Sequence, residues 1–554
     1  MQPDRATLVP AARGKTPADL VLKNATIFNP FTCTWDTGNL AIKEGIVLGC
    51  GEYTGAVEED LTGKYLVPGL IDSHVHIESS LLTPKEYARL VARHGTTTVI
   101  ADPHEIANVA GTAGIEFMLA ERKGAAIDIQ YLLPSCVPAT PADIGGAELS
   151  ENELSGFIGR DGILGLGEMM NFPGVLSGDP EVTKKIALCP LRDGHAPFLT
   201  GNDLNAYILA GLQSDHECTN LAEAEEKLKK GMYIYLREGS TERNIEALAP
   251  LVTPLTVPRC CFATDDCHAD MLMNDGHIDR CIRRAVACGI PPALALRMAT
   301  LSAADRFGLT DRGALSPGRR ADFCIISDPA TFVVERTFVC GKEVTPAAPA
   351  RPAPLSVPFR CTAPSAGDLK IDGTGSARVI GLIPHQIVTE SLVRNWTGMR
   401  RPGEDLQKVV VCNRYGRGIR GIGLVHGFGF RDGAIASSVA HDAHNLVATG
   451  TDDDCITRAI EEVIRMQGGM AAVCGPELIS LPLDCGGLMS SLPYEEVAGR
   501  LLAMQTITRK IGGIDDPFMY LSFLSLTVIP ALRITDRGVF DGAEFRDVPL
   551  FMHP

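Results

Sequence analysis

Apolar positions along the chain fall into short runs, and their spacing divides the sequence into three regions. Up to about Tyr65, apolar and polar residues alternate in ADLVLKNATIFNP and GNLAIKEGIVLGCGEY, with Gly and Asn between them. That pattern predicts β-hairpins. A similar stretch, GRRADFCIISDPATFVVERTFVCGKEV, returns from Gly318. Two β-rich pieces around a long middle predict one small β-sandwich domain assembled from 1–65 and 311–344. Within 66–310, TTTVIAD, IDIQYLLPS, GILGLGE, MYIYLRE and RCCFATDD read as buried strands. TNLAEAEEKLKKG reads as a helix with a polar cap, early acids, late lysines and a stop at Gly231. Strand–helix alternation over a stretch of this length predicts a TIM-like (β/α)8 barrel, which takes about 250 residues. The Pro-rich TPAAPARPAPLSVP (345–358) reads as a linker, and 361–554 as a compact C-terminal α/β domain.

Composition narrows the functional classes. The 554 residues are 45% hydrophobic and 21% charged, which is a globular balance. The formal net charge of −16 repels phosphate backbones, so no nucleic-acid partner is expected. No apolar run reaches the roughly 18 residues of a membrane span, and no basic stretch precedes an apolar core at the start, so neither membrane nor secretion is expected. The 17 cysteines are scattered without a C-x-x-C, a pattern that suits reduced thiols in a cytoplasm; Cys260 and Cys261 sit in an apolar run and are expected to be core.

The chemistry begins in LVPGLIDSHVHIESS. Residues two apart on a strand face the same side, so His74 and His76 point together, as two imidazole ligands must. By itself the pair reads equally well as two polar residues at a strand end. The preceding apolar run puts it near the C-terminal end of a first barrel strand, where active sites of such barrels lie. Glu168 ends GILGLGE, and His195, His216 and Asp265 sit in RDGHAP, SDHECT and CFATDDCH. With a barrel unit of about 31 residues, the intervals from His76 correspond to three, one, one and two units, hence to strands 4, 5, 6 and 8. Four imidazoles with two carboxylates suit divalent Zn, Mn or Fe, and exceed what one tetrahedral ion needs; two ions bridged by Glu168 are expected. Such ions generate hydroxide at neutral pH, and Asp265 can take its proton and pass it to a leaving group. No G-x-x-x-x-G-K-[ST] phosphate loop occurs.

These residues resemble the amidohydrolase superfamily, and within it the adenine deaminases of bacterial type. The stretches that carry the resemblance are VPGLIDSHVHIESS, ADPHEIANV, GLGEMMNFPGV, DGHAPFLTGNDLNAYILAG, DHECT, REGS, ATDDCHADML, SSVAHDAHNLVATGTDDD and PFMYLSFLSLTVIPALRITDRGVFD, which span nearly the whole chain. Many binuclear members have a carboxylated lysine on strand 4; here the position is Glu168, and Lys184 and Lys185 come well after it. The resemblance implies hydrolysis of adenine to hypoxanthine and ammonia at a binuclear manganese or iron(II) site, with zinc also compatible, in a homo-oligomer. It implies attack at C6 with protonation of ring N1, for which Glu105, in ADPHEIANV, and Glu238, in YIYLREGS, are the candidates. Asp266 is expected to touch substrate or orient a ligand. His94, His104, His268 and His277 are expected to be supporting residues. His441 and His444, in AHDAHN, are expected to hydrogen-bond locally or help close the barrel mouth. The alternatives are an amidohydrolase acting on a cyclic amide or another aminopurine, and a non-catalytic purine- or metal-binding protein.

Overall fold

The computed structural model describes residues 4–140, 143–345, 351–401 and 403–552. Residues 346–350 of the Pro-rich linker lie outside the described residues; within the rest of it, the Leu355 carbonyl accepts the Gly486 N–H at 2.8 Å. The two flanks share one continuous mixed sheet of eight hydrogen-bonded strands. The twelve-residue strand Ala18–Asn29 explains this. One of its edges pairs with Thr34–Lys43, and the other pairs in succession with Gly55–Asp60 and Tyr65–Pro68. Phe323–Ile326, from the far flank, joins on Tyr65–Pro68, so both flanks of the middle region build one hydrogen-bonded sheet.

The middle contains eight parallel strands in chain order: β1 (Leu70–Val75), β2 (Thr96–Ala101), β3 (Asp128–Leu133), β4 (Ile163–Met169), β5 (Arg192–Gly194), β6 (Ser214–Asp215), β7 (Tyr233–Arg237) and β8 (Cys260–Ala263). They form a five-stranded and a three-stranded parallel sheet, β1–β5 and β6–β8. The array curls in the manner of a TIM barrel. Val75 and Asp265 form a parallel bridge that brings the end of β8 beside β1. The short strands β5 and β6 meet where the Gly194 N–H donates to Ser214 Oγ at 3.2 Å. A Cβ on Gly194 would stand 2.2 Å from the Ser214 carbonyl oxygen, so only glycine allows this approach. Cys260 and Cys261 are fully buried in β8.

The helix expected after β6 runs Leu221–Lys229, with the Asn220 side chain accepting the Glu223 N–H and Gly231 in a left-handed conformation. One of its late lysines departs from the sequence picture. Lys227 does not sit at the surface facing the helix dipole. It is fully buried and donates to Asp215 Oδ2 at 2.8 Å, Glu223 Oε1 at 2.6 Å and the Ala196 carbonyl at 2.6 Å.

The C-terminal region is a mixed eight-stranded sheet carrying helices Asp453–Met466 and Tyr494–Lys510, with a small three-stranded sheet at its end. It is joined to the barrel by one continuous apolar core, in which Ile106 and Val109 belong to the same cluster as Leu488, Phe523 and Leu526. At the rim, Arg89 donates to Glu495 Oε1 at 2.7 Å and to Glu86 Oε2 at 2.8 Å, and Glu86 also accepts the Tyr494 N–H. No described helix is long and apolar enough to cross a membrane.

Replacing Lys227 by Met leaves the Asp215 and Glu223 carboxyls buried without their cation. The expected cost is about 3–5 kcal/mol of stability, read as a lowered denaturant midpoint; an unchanged midpoint contradicts the account.

Candidate metal centre

Each candidate side chain sits at the C-terminal end of its strand for a local reason. Alternation along β1 turns His74 and His76 to the same side, both buried, with ring centroids 4.8 Å apart. Glu168, near the end of β4, is held by its own backbone, whose N–H donates to Asp102 Oδ2 at 3.0 Å. That approach requires Gly167, where a Cβ would lie 2.0 Å from the same oxygen. His195 follows β5 and donates its backbone N–H to Tyr207 Oη at 3.0 Å. His216 follows β6, and its carbonyl accepts from Asn244 Nδ2 at 3.2 Å. Asp265 follows β8 in a left-handed conformation (φ 56°), uncommon for a residue with a side chain, and its N–H donates to the His74 carbonyl at 3.0 Å.

The donor atoms form two groups that share one carboxylate. His76 Nε2 lies 3.2 Å from Glu168 Oε1 and 3.2 Å from Asp265 Oδ1, and 3.1 Å from His74 Nε2. On the other side, Glu168 Oε2 lies 2.8 Å from His195 Nδ1 and 3.3 Å from His216 Nε2. Glu168 therefore presents a different oxygen to each group. All six predicted residues converge here.

Tautomers decide whether this set fits cations. His76 Nδ1 stands 3.0 Å from the Asp102 carbonyl oxygen, which can only accept, so Nδ1 carries the proton. His74 Nδ1 likewise donates to Asp193 Oδ2 at 3.2 Å. In the neutral rings both Nε2 atoms are then lone pairs, facing each other and the carboxylate oxygens. Such an array is self-repelling unless positive charge lies among its members. The residues fit divalent metal, and the two groups sharing Glu168 fit two ions.

The surrounding charges maintain this state. Burial raises the Asp193 carboxyl, but the hydrogen bond from His74 and the charge of Arg306 outweigh it and hold the group at about 2. Glu217 Oε1 stands 3.4 Å from His216 Nε2 and is held by Arg237, which also donates to Asp265 Oδ2 at 2.5 Å. Burial opposes ionisation of Glu217 and Asp265, and Arg237 reverses it, so both carboxyls lie well below the usual range. Glu217 and Arg237 were in stretches singled out from the sequence, DHECT and REGS, but nothing in their spacing marked them. Asp193 had only its place two residues before His195.

The cavity over the metal groups is lined from two directions. The barrel contributes His76, Glu105, Glu168, His195, His216 and Asp265 among others, and the C-terminal region contributes Ile387, His441, Asp442, Phe523 and Leu526. Asp266 lines it too, with its Oδ1 accepting from Ser79 Oγ. Glu105 is gripped by two imidazoles, Oε1 by His441 Nδ1 and Oε2 by His444 Nε2. These histidines thus reach across to the barrel and do not merely bond locally. Glu238 departs from expectation: it is not among the lining residues, and its Oε1 lies 3.9 Å from Arg243 Nε. It follows Arg237, which lines the cavity, and alternation along the strand sends the next side chain to the other face. His277 bonds Tyr87 and Thr96, His94 faces Asp279 and His268 faces Asp516, all supporting contacts as expected. His104 instead lines the cavity, with Nδ1 3.7 Å from Glu168 Oε1.

Two family models match the chain: the amidohydrolase family over residues 65–344 and the adenine deaminase C-terminal domain over 382–546. The adenine deaminase of Methanoregula boonei is 64% identical over 553 residues, covering 99% of each chain. That of Methanoculleus marisnigri is 58% identical over 515 residues, covering 93% of this chain and 99% of its own. Among solved structures, the N-acetyl-D-glucosamine-6-phosphate deacetylase of Mycobacterium smegmatis aligns with a TM-score of 0.47 at 18% identity, covering 59% of this chain and 100% of its own. With full-length relatives at these identities and both family models side by side on one chain, the protein belongs to the adenine deaminase family of amidohydrolases.

Proposed function

We propose that this protein hydrolyses adenine to hypoxanthine and ammonia at a two-metal centre in the mouth of a (β/α)8 barrel. The observation that carries the two-metal reading is the division of donors into two groups by the separate oxygens of Glu168. His74, His76 and Asp265 would hold one ion, His195 and His216 the other, and Glu168 both. Manganese or iron(II) is the ion we assign, and the mixed imidazole–carboxylate set also accepts zinc. When bound, the ions supply hydroxide at neutral pH by lowering the pKa of water. The substrate reading rests on the adenine deaminase relatives.

The chain's own residues do the rest. Asp265 has one oxygen at the ligand cluster and the other on Arg237, so it is ionised and oriented to accept a proton from the attacking water. It then returns that proton to the departing amino group, which leaves as ammonia. Asp266 is assigned to the purine edge. Glu105 is assigned to ring protonation, acting through the imidazoles it holds. The apolar side chains Ile387, Phe523 and Leu526 exclude water from the purine face.

Metal-reconstituted protein is expected to release ammonia from adenine; turnover of a cyclic amide or a different aminopurine with none from adenine rejects the substrate. Asp265→Asn is expected to lower the rate about 10²–10⁴-fold, and near-wild-type turnover contradicts the proton-transfer role. Wild-type protein is expected to hold two ions per chain by elemental analysis, and Glu168→Gln to hold one or none; two retained ions would reject the bridge.

A further inference from the structure

His441 is in an unusual position for a residue far along the chain from the barrel. It is 2% exposed and lines the cavity over the metal groups. Its Nδ1 is taken by Glu105 Oε1, while its Nε2 is buried with no partner among the described residues. A buried polar nitrogen left unpaired costs stability unless something else satisfies it. The ring is fixed in orientation on both sides. Glu105 holds one nitrogen, and Phe523 stacks on the ring face with centroids 4.9 Å apart and planes 23° from parallel. Glu105 is itself fixed by His444 on its other oxygen. The ring is therefore preorganised, with a single free hydrogen-bonding atom at the cavity wall.

We propose that His441 is a substrate-contact residue: with Nδ1 pinned by Glu105, its Nε2–H donates to a ring nitrogen of the purine. The inference rests on the adenine reading and adds a residue from the C-terminal domain to the substrate site. The carboxylates of Glu105, Asp266 and Asp442 surround this imidazole; the His444 ring stands 5.5 Å from it, and His104 Nε2 lies 3.4 Å from the same Glu105 oxygen. Burial works against a charged ring, but these carboxylates, Glu105 foremost, raise His441 to about 9, so that both ring nitrogens carry protons at neutral pH. Adenine offers N1, N3 and N7 (or N9, by tautomer) as acceptors. A protonated imidazole held by a carboxylate, with its second nitrogen unpartnered at the cavity wall, is matched to any of them.

The two nitrogens can be tested apart. The Gln amide nitrogen lies near the position of His Nε2, and the Asn amide nitrogen near that of Nδ1. His441→Gln keeps a donor toward the purine and gives up the grip on Glu105; His441→Asn does the reverse. With metal content and unfolding midpoint compared to wild type, His441→Asn is expected to raise KM for adenine about 10–100-fold, and His441→Gln to raise it several-fold less. The reverse order overturns the contact and leaves His441 as a clamp. A second measurement needs no variant to fold: 1-deaza-, 3-deaza- and 7-deazaadenine are compared with adenine for inhibition or turnover by wild-type protein. One analogue is expected to bind at least 10-fold more weakly; all three binding like adenine overturns the proposal. Wild-type protein inert toward adenine overturns the activity reading and this one together, whereas active wild type with the reversed variant order overturns this one alone.

Discussion

Two imidazole lone pairs 3.1 Å apart, flanked by two carboxylates and buried from water, set the terms for the whole molecule. Such a group is unfavourable on its own, because each member repels the next and none is solvated. Much of the barrel's C-terminal end exists to impose it. The Asp102 carbonyl fixes His76 and the Asp102 carboxylate fixes the Glu168 backbone, so one residue sets two ligands. Asp193 fixes His74, and Ser214, Tyr235 and Arg306 fix Asp193. Gly167 and Gly194 are small because these approaches leave no room for a side chain. The strain of Asp265 in a left-handed conformation belongs to the same effort.

The second tier of charge is arranged around Arg237. Its guanidinium ties Glu217, beside one metal group, to Asp265, beside the other. A planar fork serves this purpose better than an ammonium would, since it meets two carboxylates at fixed angles. The site is thus a network in which imidazoles, carboxylates and a guanidinium share bonds, and changes to its members are expected not to be additive.

Much of this was legible in the sequence because barrel geometry turns spacing into position. His74 and His76 follow from a period of two, and Glu168, His195, His216 and Asp265 from one strand end per unit. The strands and the helix Leu221–Lys229 follow from local pattern in the same way. What escaped depends on contacts that no local period encodes. The late lysines of TNLAEAEEKLKKG are alike in sequence, and only the fold shows Lys227 buried against Asp215. Glu238 sits at a strand end, like the cavity residues, but the fold turns Arg237 inward, and Glu238, one position after it, faces the other side. The joining of both flanks in one hydrogen-bonded sheet depends on one long strand pairing with two partners on one edge, which apolar alternation alone does not reveal. The grip of His441 and His444 on Glu105 spans 336 and 339 residues, and nothing in AHDAHN points to so distant a partner.

That last span also has a consequence for how the protein is made. A ribosome adds about 5–20 residues per second, so Glu105 emerges roughly 15–70 s before His441 exists to hold it. During that interval the barrel can be complete in sequence while Glu105 has only His104 of the barrel beside it and neither imidazole of the C-terminal region. The newborn chain thus passes through a stage in which the cavity lacks the wall that Ile387, His441, Asp442, Phe523 and Leu526 supply. The last third of the chain then closes over a cavity whose barrel side has already been written.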